Sequence, residues 1–248
     1  MKAMVFAAGL GTRLKPLTLT MPKALVPLNG VPMLERVIKN IIACGITQVV
    51  VNIHHFGDQI IQFLNEKNNF GINIAISDER DQLLDTGGGI LRAQSLLDGD
   101  EPFLVHNADI FTDLDLRSII NHHLASGADA TLLVKQRTTQ RYLVFDQQNR
   151  MQGWTNIATG EVKPASLTID ASKHLMAFGG VHVISPIVFA PLKQHATEPK
   201  FSIMPFYIDN CQKLNIQGFN PTGYNWFDIG KMETLQQAEQ FLSQQASR

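Results

Sequence analysis

Two glycines, a hydroxyl group and two cations follow an apolar run near the start of the chain. The run, residues 4–8, has the composition of a buried parallel strand. It leads into Gly9-Leu10-Gly11-Thr12-Arg13, and Lys23 follows directly behind Pro22. Backbone N–H groups of a glycine loop, together with nearby cations, bind phosphate groups. We therefore predict a polyanion site in this segment.

Neither of two well-known phosphate-binding loops fits the segment. The dinucleotide fingerprint needs a third glycine for helix–strand packing, and Leu14 occupies that position. The P-loop needs a GK[ST] sequence at fixed spacing, whereas the cations here are Arg13 and Lys23. A glycine turn with one arginine is by itself more often structural, so the interpretation depends on the longer pattern.

Residues 9–23 as a whole have the pattern G-x-G-T-R-L-x-P-L-T-x-x-x-P-K. This pattern resembles the signature of the sugar-1-phosphate nucleotidyltransferases, which join a nucleoside triphosphate to a sugar 1-phosphate and release pyrophosphate. The resemblance implies that the loop N–H groups and Arg13 hold the β- and γ-phosphates. It implies that Lys23 neutralises charge at the α-phosphoryl group, so Arg13 and Lys23 are the predicted catalytic residues.

Two aspartates are candidate metal ligands. Asp109 follows the apolar segment 103–106, at the carboxyl end of a predicted strand, where open α/β sheets bind ligands. Asp228 lies in Trp226-Phe227-Asp228-Ile229-Gly230, which resembles the second metal-binding segment of the family. A capping role for Asp109 and a turn role for Asp228 are the alternatives. The carboxylate pair suits Mg²⁺, the predicted cofactor.

Other binding residues are implied by the same resemblance. The glycine triplet after Thr86 is either a flexible turn or a surface where backbone approaches a flat nucleobase. Ala108 stands where the family usually has glycine, and its methyl group is expected to crowd the ribose. The predicted nucleotide-binding residues are Ala8, Gly9, Leu10, Gly11, Thr12, Arg13, Lys23, Thr86, Gly87, Gly88 and Asn107.

The residues that bind the sugar phosphate are harder to predict, because residues 136–170 match the family poorly. Gly180 matches a family glycine and is predicted to admit the sugar ring, with a strand bulge as the alternative. If the sugar carries a carboxylate, its binding site needs a cation, and Arg141 or Lys200 is predicted to supply that cation. For Arg141, a solvated surface charge is the simpler alternative.

Apolar strands alternate with amphipathic helices along the chain, which predicts a doubly wound α/β fold. We expect a Rossmann-like, mostly parallel mixed sheet with helices on both faces. The 248 residues suit one domain. Its predicted parts are a nucleotide-binding half (1–135), a sugar-phosphate-binding part (136–230) and a C-terminal helix (231–248).

Composition narrows the partners. The formal net charge is −1, from 21 basic and 22 acidic residues, and no basic block occurs, so nucleic-acid binding is not expected. No apolar stretch approaches the roughly 20 residues that span a bilayer, so no membrane role is expected. Two isolated cysteines and a start without a signal peptide predict a cytoplasmic protein.

The most specific prediction concerns the two substrates. Ala7-Ala8-Gly9 resembles uridylyl- and thymidylyltransferases more than guanylyltransferases, and the chain most resembles uridylyltransferases of cell-wall recycling that use N-acetylmuramate 1-phosphate. UTP and this sugar phosphate are therefore the expected substrates. The alternatives are a mannose- or heptose-1-phosphate guanylyltransferase, a phosphocholine cytidylyltransferase with a similar loop, and a non-catalytic nucleotide-binding regulatory module of the same fold.

Overall fold

The computed structural model describes residues 1–246. Its strands are β1 (Lys2–Phe6), β2 (Pro27–Leu28), β3 (Val31–Pro32), β4 (Gln48–Ile53), β5 (Asn73–Asp78), β6 (Phe103–Asn107), β7 (Ile110–Thr112), β8 (Ala130–Lys135), β9 (Arg141–Phe145), β10 (Met151–Asn156), β11 (Glu161–Lys163), β12 (His174–Ile184), β13 (Ile216–Phe219) and β14 (Trp226–Asp228). Its α-helices are α1 (Met33–Ala43), α2 (Gly57–Glu66), α3 (Asp85–Arg92), α4 (Gln94–Leu97), α5 (Leu116–Ser126), α6 (Phe189–His195), α7 (Ile203–Asn210) and α8 (Met232–Ala246).

One mixed sheet of ten strands organises the described residues. Its main order is β11-β10-β9-β12-β6-β1-β4-β5, and β8 lies between β12 and β13. The central strands β6, β1, β4 and β5 are parallel, whereas β12 is antiparallel to β6, β8 and β9. The predicted Rossmann-like, mixed sheet is confirmed.

Alternate side chains of β1 are buried in two different cores, one on each face of the sheet. Val5 belongs to the core that contains Ile38 of α1, together with residues of α2 and α5. Met4 belongs to the core that contains Ile90 of α3, together with residues of α6 and α7. Helices therefore cover both faces, as the sequence predicts.

A third, smaller core anchors the glycine loop. Leu14, which directly follows Arg13, is completely buried against Leu28 of β2, Ile229 and Leu235 of α8. The exposed part of the loop is thus attached to a hydrophobic base formed by distant parts of the chain.

The predicted parts of the domain share the sheet. β12 pairs with β6 from the first part, 1–135, and with β9 from the second part, 136–230. Their division into nucleotide and sugar-phosphate functions stays a prediction. The predicted C-terminal helix over 231–248 is present as α8, and positions 247–248 lie outside the described residues.

The middle of the chain forms an antiparallel hairpin. β9 and β10 pair antiparallel, with Leu143 opposite Trp154. β12 loses its regular register with β8 between Phe178 and His182, at Gly179 and Gly180. In the part of the chain that the structure describes, no helix is long and apolar enough to cross a membrane.

Candidate active site

A cleft of about 460 Å³ lies at the carboxyl ends of the parallel strands β1, β4 and β6. This is the edge of the sheet where ligands bind in open α/β folds. Among the predicted nucleotide-binding residues, those lining the cleft are Ala8, Gly9, Leu10, Gly11, Thr12, Arg13, Lys23, Thr86 and Asn107. The structure therefore brings most of the predicted site together, and contact of these residues with a nucleotide stays a prediction.

The conformation of the glycine loop depends on Gly11. Its φ of 63° lies in the left-handed region, and a Cβ there would stand 2.7 Å from Cγ2 of Thr18. The Thr18 hydroxyl donates a 2.7 Å hydrogen bond to the Gly11 carbonyl, and the N–H of Leu14 donates to the same oxygen. These bonds fix the base of the loop, while Gly9 and Leu10 remain exposed at the cleft.

A buried amide and a buried carboxylate support the start of the loop. Asn52 Oδ1 accepts hydrogen bonds from the N–H groups of Ala7 and Ala8, at 2.7 and 3.3 Å. Asn52 Nδ2 donates to Glu79 Oε1 at 2.8 Å, and Glu79 Oε2 accepts from the N–H of Leu84 at 3.1 Å. Burial raises the pKa of Glu79, which is completely inaccessible to solvent. This network connects β4 and the segment after β5 to the phosphate loop.

Lys23 and Asp109 meet at the centre of the cleft. Lys23 begins a short 3₁₀ helix, Lys23–Leu25, whereas Asp109 lies between β6 and β7. Their side chains form an ion pair that is mostly shielded from solvent. A predicted catalytic cation and a predicted metal ligand are thus direct neighbours.

Asp228 reaches the same site from the end of the chain. β14 pairs antiparallel with β7, so Asp228 lies opposite Ile110, and the N–H of Ile229 donates to the Asp109 carbonyl at 2.8 Å. Asp228 Oδ1 is buried and has no hydrogen-bond partner among the described residues. Burial, and then the charge of Asp109, raises the pKa of Asp228. The two carboxylates are therefore close enough to repel each other.

The glycine triplet packs closely against another segment of the protein. Gly87, Gly88 and Gly89 lie inside α3, which begins at Asp85, before the triplet. A Cβ on Gly87 would stand 2.3 Å from the Phe201 ring, and one on Gly88 would stand 2.1 Å from the Pro199 carbonyl oxygen. The missing side chains thus admit a segment of the protein, and contact of Gly87 and Gly88 with a nucleobase stays a prediction.

That segment, residues 199–203, is bonded along the start of α3. The Phe201 carbonyl accepts from the N–H groups of Gly87 and Gly88, at 2.9 and 3.2 Å. The Thr86 hydroxyl accepts from the N–H of Ile203 at 2.9 Å. Lys200, between Pro199 and Phe201, therefore lines the cleft on the side of Thr86.

The predicted sugar-side residues are separated in the structure. Gly180 has a φ of 75°, and a Cβ there would stand 2.6 Å from Ile110 Cγ1 and 3.2 Å from Asn107 Nδ2, so it packs on Ile110 at the edge of the cleft, and its contact with a sugar stays a prediction. Arg141 is exposed at the start of β9 and does not line the cleft. Arg141 and Lys200 do not form one cation site, and the surface-charge interpretation fits Arg141.

Comparison with known proteins identifies the family. The nucleotidyl transferase family model matches residues 2–245. The chain belongs to this family. The expected enzyme class, a sugar-1-phosphate nucleotidyltransferase, is thereby confirmed, since the relatives described below are enzymes of that class.

Two relatives and one solved structure illustrate the relationship. The nucleotidyltransferase is 30% identical to the N-acetylmuramate α-1-phosphate uridylyltransferase of Neisseria meningitidis, over 96% of this chain and 97% of that one. It is 28% identical to a mannose-1-phosphate guanyltransferase of Schizosaccharomyces pombe, over 93% of this chain but only 61% of that one. A Bacillus anthracis structure assigned as a glucose-1-phosphate thymidylyltransferase has a TM-score of 0.81 and 18% identity, covering 97% of this chain and 94% of its own. At that identity, the likeness concerns the fold alone.

The carboxylate pair of the nucleotidyltransferase fits a hard divalent cation. Asp109 and Asp228 are the residues that would hold such a cation, and it would relieve both the repulsion between them and the lack of a partner for the buried Asp228 oxygen. Within residues 1–246, no group of three or more His, Cys, Asp or Glu side chains is arranged to hold a metal. Two protein carboxylates with nucleotide oxygens and water suit Mg²⁺, which keeps several non-protein ligands.

Several cleft residues are absent from the sequence prediction. Asn52, Glu79, Leu83, Asp85 and Gly230 also line the cleft of the nucleotidyltransferase. Asn52 was detectable by the argument that selected Asp109, because it stands near the carboxyl end of a predicted strand. Ala108 borders the cleft but is only 2% exposed and packs in a core, so crowding of the ribose by its methyl group stays a prediction.

Proposed function

We propose that the protein joins UTP to N-acetylmuramate 1-phosphate and releases pyrophosphate, with Mg²⁺ as its cofactor. The observation that carries this proposal is the near-complete coverage of the Neisseria uridylyltransferase at 30% identity. The guanyltransferase of Schizosaccharomyces pombe, at 28% identity, is matched over only 61% of its length. The whole-length match favours uridylyl transfer to the acidic sugar phosphate.

The loop supplies the binding energy for the triphosphate in this proposal. The exposed backbone at Gly9 and Leu10, with the N–H groups of Gly11 and Thr12, presents donors to the β- and γ-phosphates. Arg13 is exposed on the same loop and adds a cation. The nucleobase lies toward the start of α3, where Thr86 and Asn52 line the cleft.

The acceptor needs no protein base. A phosphate monoester has a second pKa of about 6, so an oxygen of the sugar phosphate is already ionised at neutral pH. It attacks the α-phosphorus of UTP, the bond to the β-phosphate oxygen breaks, and pyrophosphate leaves with the electron pair. The enzyme therefore has to bring two polyanions together and orient them in line.

Charge neutralisation is the task of the central residues. Lys23, now paired with Asp109, is positioned to donate to the α-phosphoryl oxygens when nucleotide enters. Asp109 and Asp228 are the residues that would hold Mg²⁺. When bound, the cation polarises the α-phosphoryl group and offsets the charge of the leaving pyrophosphate.

A cytoplasmic location and a role in cell-wall recycling follow from the proposed substrates. Nucleoside triphosphates are available in that compartment, and the described cysteines, Cys44 and Cys211, are free thiols that suit its reducing conditions.

Pyrophosphate release over four nucleoside triphosphates and several sugar 1-phosphates tests the proposal, with Mg²⁺ present or chelated. The expected result is the highest kcat/KM with UTP and N-acetylmuramate 1-phosphate, and loss of turnover with chelator. A preference for GTP with mannose 1-phosphate would replace this proposal with the guanylyltransferase alternative.

A further inference from the structure

Two cations on the far side of Asp228 have no ion-pair partner among the described residues. Lys135 ends β8, and its Nζ lies 4.4 Å from the ring centre of Tyr224. Arg137 is exposed, and its guanidinium carbon lies 5.4 Å from the ring centre of Trp226. Aromatic rings therefore hold both cations, and among the described residues no carboxylate forms a direct ion pair with either of them.

The acid that acts on Lys135 is already engaged. The charge of Asp113 offsets part of the lowering that burial causes in the pKa of Lys135. Both carboxylate oxygens of Asp113 accept 2.6 Å hydrogen bonds from Asn225, one from the backbone N–H and one from the side-chain amide. Partial burial without a direct counter-ion lowers the pKa of Lys135. A bound anion would provide the counter-charge that this half-buried cation lacks.

The pair lies on the acceptor side of the candidate active site. Trp226 and Asp228 are two residues apart in β14, so their side chains project to the same face, roughly 7 Å apart along the strand. Beyond Asp228, a Cβ on Gly230 would stand 2.9 Å from Arg13 of the phosphate loop. Asp228 thus separates the loop cations from Arg137, whose charge also acts on it.

Trp226 also links the two cations to the segment that contains Gly180, the glycine predicted to admit the sugar ring. Its indole N–H donates a 2.8 Å hydrogen bond to the Gly179 carbonyl. The adjacent Gly180 lies beside Asn107, which lines the cleft. A continuous series of contacts, through Gly180, Gly179 and Trp226, thus joins the edge of the cleft to the two cations.

A hydroxyl group without a partner completes the cluster. The Tyr224 hydroxyl is buried and has no hydrogen-bond partner among residues 1–246. Burial raises the pKa of Tyr224 to about 12, so the group remains a neutral donor at physiological pH. Two cations held against aromatic rings beside a buried polar group are a recognition set for an anionic oxygen group.

We propose that Lys135 and Arg137, supported by Trp226 and Tyr224, form the subsite for the carboxylate of an acidic sugar 1-phosphate. The inference rests on the proposed function for the identity of that sugar. A guanidinium group stacked on an aromatic ring keeps its edge N–H donors free, and these pair with a carboxylate in bidentate geometry. The subsite is an alternative to the prediction that Arg141 or Lys200 provides this cation.

The position of the cluster favours a carboxylate over the sugar's own phosphate. The 1-phosphate must meet the α-phosphorus of the nucleotide, which lies with Lys23 on the loop side of Asp228 in the proposed function. Lys135 and Arg137 lie beyond Trp226, on the opposite side. A group at the other end of the sugar reaches them while the phosphate stays at the reaction centre.

The test compares N-acetylmuramate 1-phosphate with N-acetylglucosamine 1-phosphate, which lacks the lactyl carboxylate. We expect Arg137→Gln to reduce kcat/KM at least about tenfold more for the acidic sugar than for the neutral one, since it removes a charge-assisted hydrogen bond. Lys135→Met should shift the ratio in the same direction. KM for UTP should stay near its wild-type value in both variants.

Arg150→Gln is the matched control. Arg150 is exposed and forms a bridge with Gln217, which lies opposite Thr131, far along β8 from Lys135. This variant should keep the wild-type ratio. Circular dichroism spectra of all variants should match wild type, because Arg137 is exposed.

The remaining outcomes separate two failures. If wild type prefers the acidic sugar and both variants retain that preference, the subsite is overturned and the proposed function stands. If Arg137→Gln weakens both sugar phosphates equally, the cations bind the phosphate and the subsite is overturned. If wild type shows no preference for the acidic sugar, the proposed substrate is wrong, and the subsite is overturned with it.

Discussion

Lys23 and Asp109 form an ion pair in the candidate active site, with only 13% and 26% of their side chains exposed. In the proposed function, Lys23 exchanges Asp109 for a phosphoryl oxygen when nucleotide and Mg²⁺ bind. We expect Lys23→Ala to lower kcat at least about a hundredfold, because one preorganised electrostatic donor contributes on the order of 3 kcal/mol to transition-state stabilisation. Pyrophosphate release under saturating substrates measures this effect.

Arg13→Ala should have a similar effect through the β- and γ-phosphates. Lys15→Ala is the matched control, since Lys15 is an exposed cation of the same loop that does not line the cleft. A near-normal kcat for either Lys23→Ala or Arg13→Ala would remove that residue from the catalytic set.

Asp228 should make the metal-free enzyme less stable than its amide variant. Its buried Oδ1 lacks a partner, and Asp109 is a neighbouring like charge. We expect Asp228→Asn to raise Tm in the presence of chelator while abolishing turnover, because it removes repulsion and a metal ligand together. Differential scanning calorimetry with and without Mg²⁺ and UTP measures both states.

The metal dependence of Tm gives the second half of this experiment. Wild type should gain stability when Mg²⁺ and UTP are added, whereas Asp228→Asn should gain much less. An equal Mg²⁺-dependent gain in both proteins would contradict the role of Asp228 as a ligand.

Much of the fold was predictable because local signals agree with the final structure. β4 spans Gln48–Ile53, as its valine-rich sequence predicts, and the loop glycines directly follow β1. The positions of Asp109 and Asp228 were also predictable, since a carboxyl strand end and a family motif mark them.

The remaining site features depend on contacts between distant segments. Gly87 meets Phe201, and Arg137 meets Trp226, across long separations in sequence. A glycine triplet looks the same whether a ligand or a phenyl ring fills the space beside it. Sequence periodicity carries no information about that choice, so neither the packing of Phe201 on the triplet nor the second cation pair could be predicted from the sequence.

Asn52 should act as a positioning residue for the phosphate loop. Asn52→Leu removes the acceptor for Ala7 and Ala8 and leaves Glu79 without its amide donor. We expect a loss of about 1–3 kcal/mol in the free energy of unfolding, the cost of an unsatisfied buried polar group. KM for the nucleotide should rise, because the loop start loses its support. Urea denaturation and steady-state kinetics measure the two effects.

Asn52→Asp separates the two functions of this side chain. It keeps acceptor oxygens for the loop but places a carboxylate against Glu79. This variant should retain nucleotide KM better than Asn52→Leu while still losing stability. An unchanged KM in Asn52→Leu would show that the loop does not depend on this network.

Gly87→Ala should destabilise the fold through Phe201. The new Cβ would stand 2.3 Å from the ring, so the segment 199–203 must move away from α3. We expect a loss of about 1–3 kcal/mol, typical of overpacking, that Phe201→Ala in the same chain partly restores. Gly9→Ala is the contrast, because nothing lies within 4 Å of its Cβ position and stability should be unchanged. A Gly87→Ala protein with normal Tm and a raised nucleotide KM would favour the original nucleobase role.

Two buried histidines should make stability depend on pH. His182 Nδ1 lies 2.8 Å from the Tyr207 hydroxyl, and His123 lies 3.0 Å from the hydroxyls of Thr131 and Ser185. Burial lowers the pKa of His182 to about 3 and that of His123 to about 4. In the unfolded chain, both histidines bind a proton at their ordinary pKa of about 6.5, whereas the folded protein keeps them neutral to a lower pH. The neutral histidines therefore contribute fully to stability above about pH 6.5, and this contribution falls as the pH decreases toward about 4.

Urea denaturation at about pH 7.5 and about pH 5 measures this dependence, over a range where histidine is the group that ordinarily titrates. Glu79 and Asp228 act in the opposite sense, because burial raises their pKa values and their ionisation costs stability as pH rises. Comparison with His182→Phe therefore isolates the histidine. At the higher pH, the variant should be less stable than wild type, because the substitution removes the hydrogen bond to Tyr207. On acidification, it should lose less stability than wild type does. The same loss of stability in both proteins would exclude His182 as a source of the pH dependence.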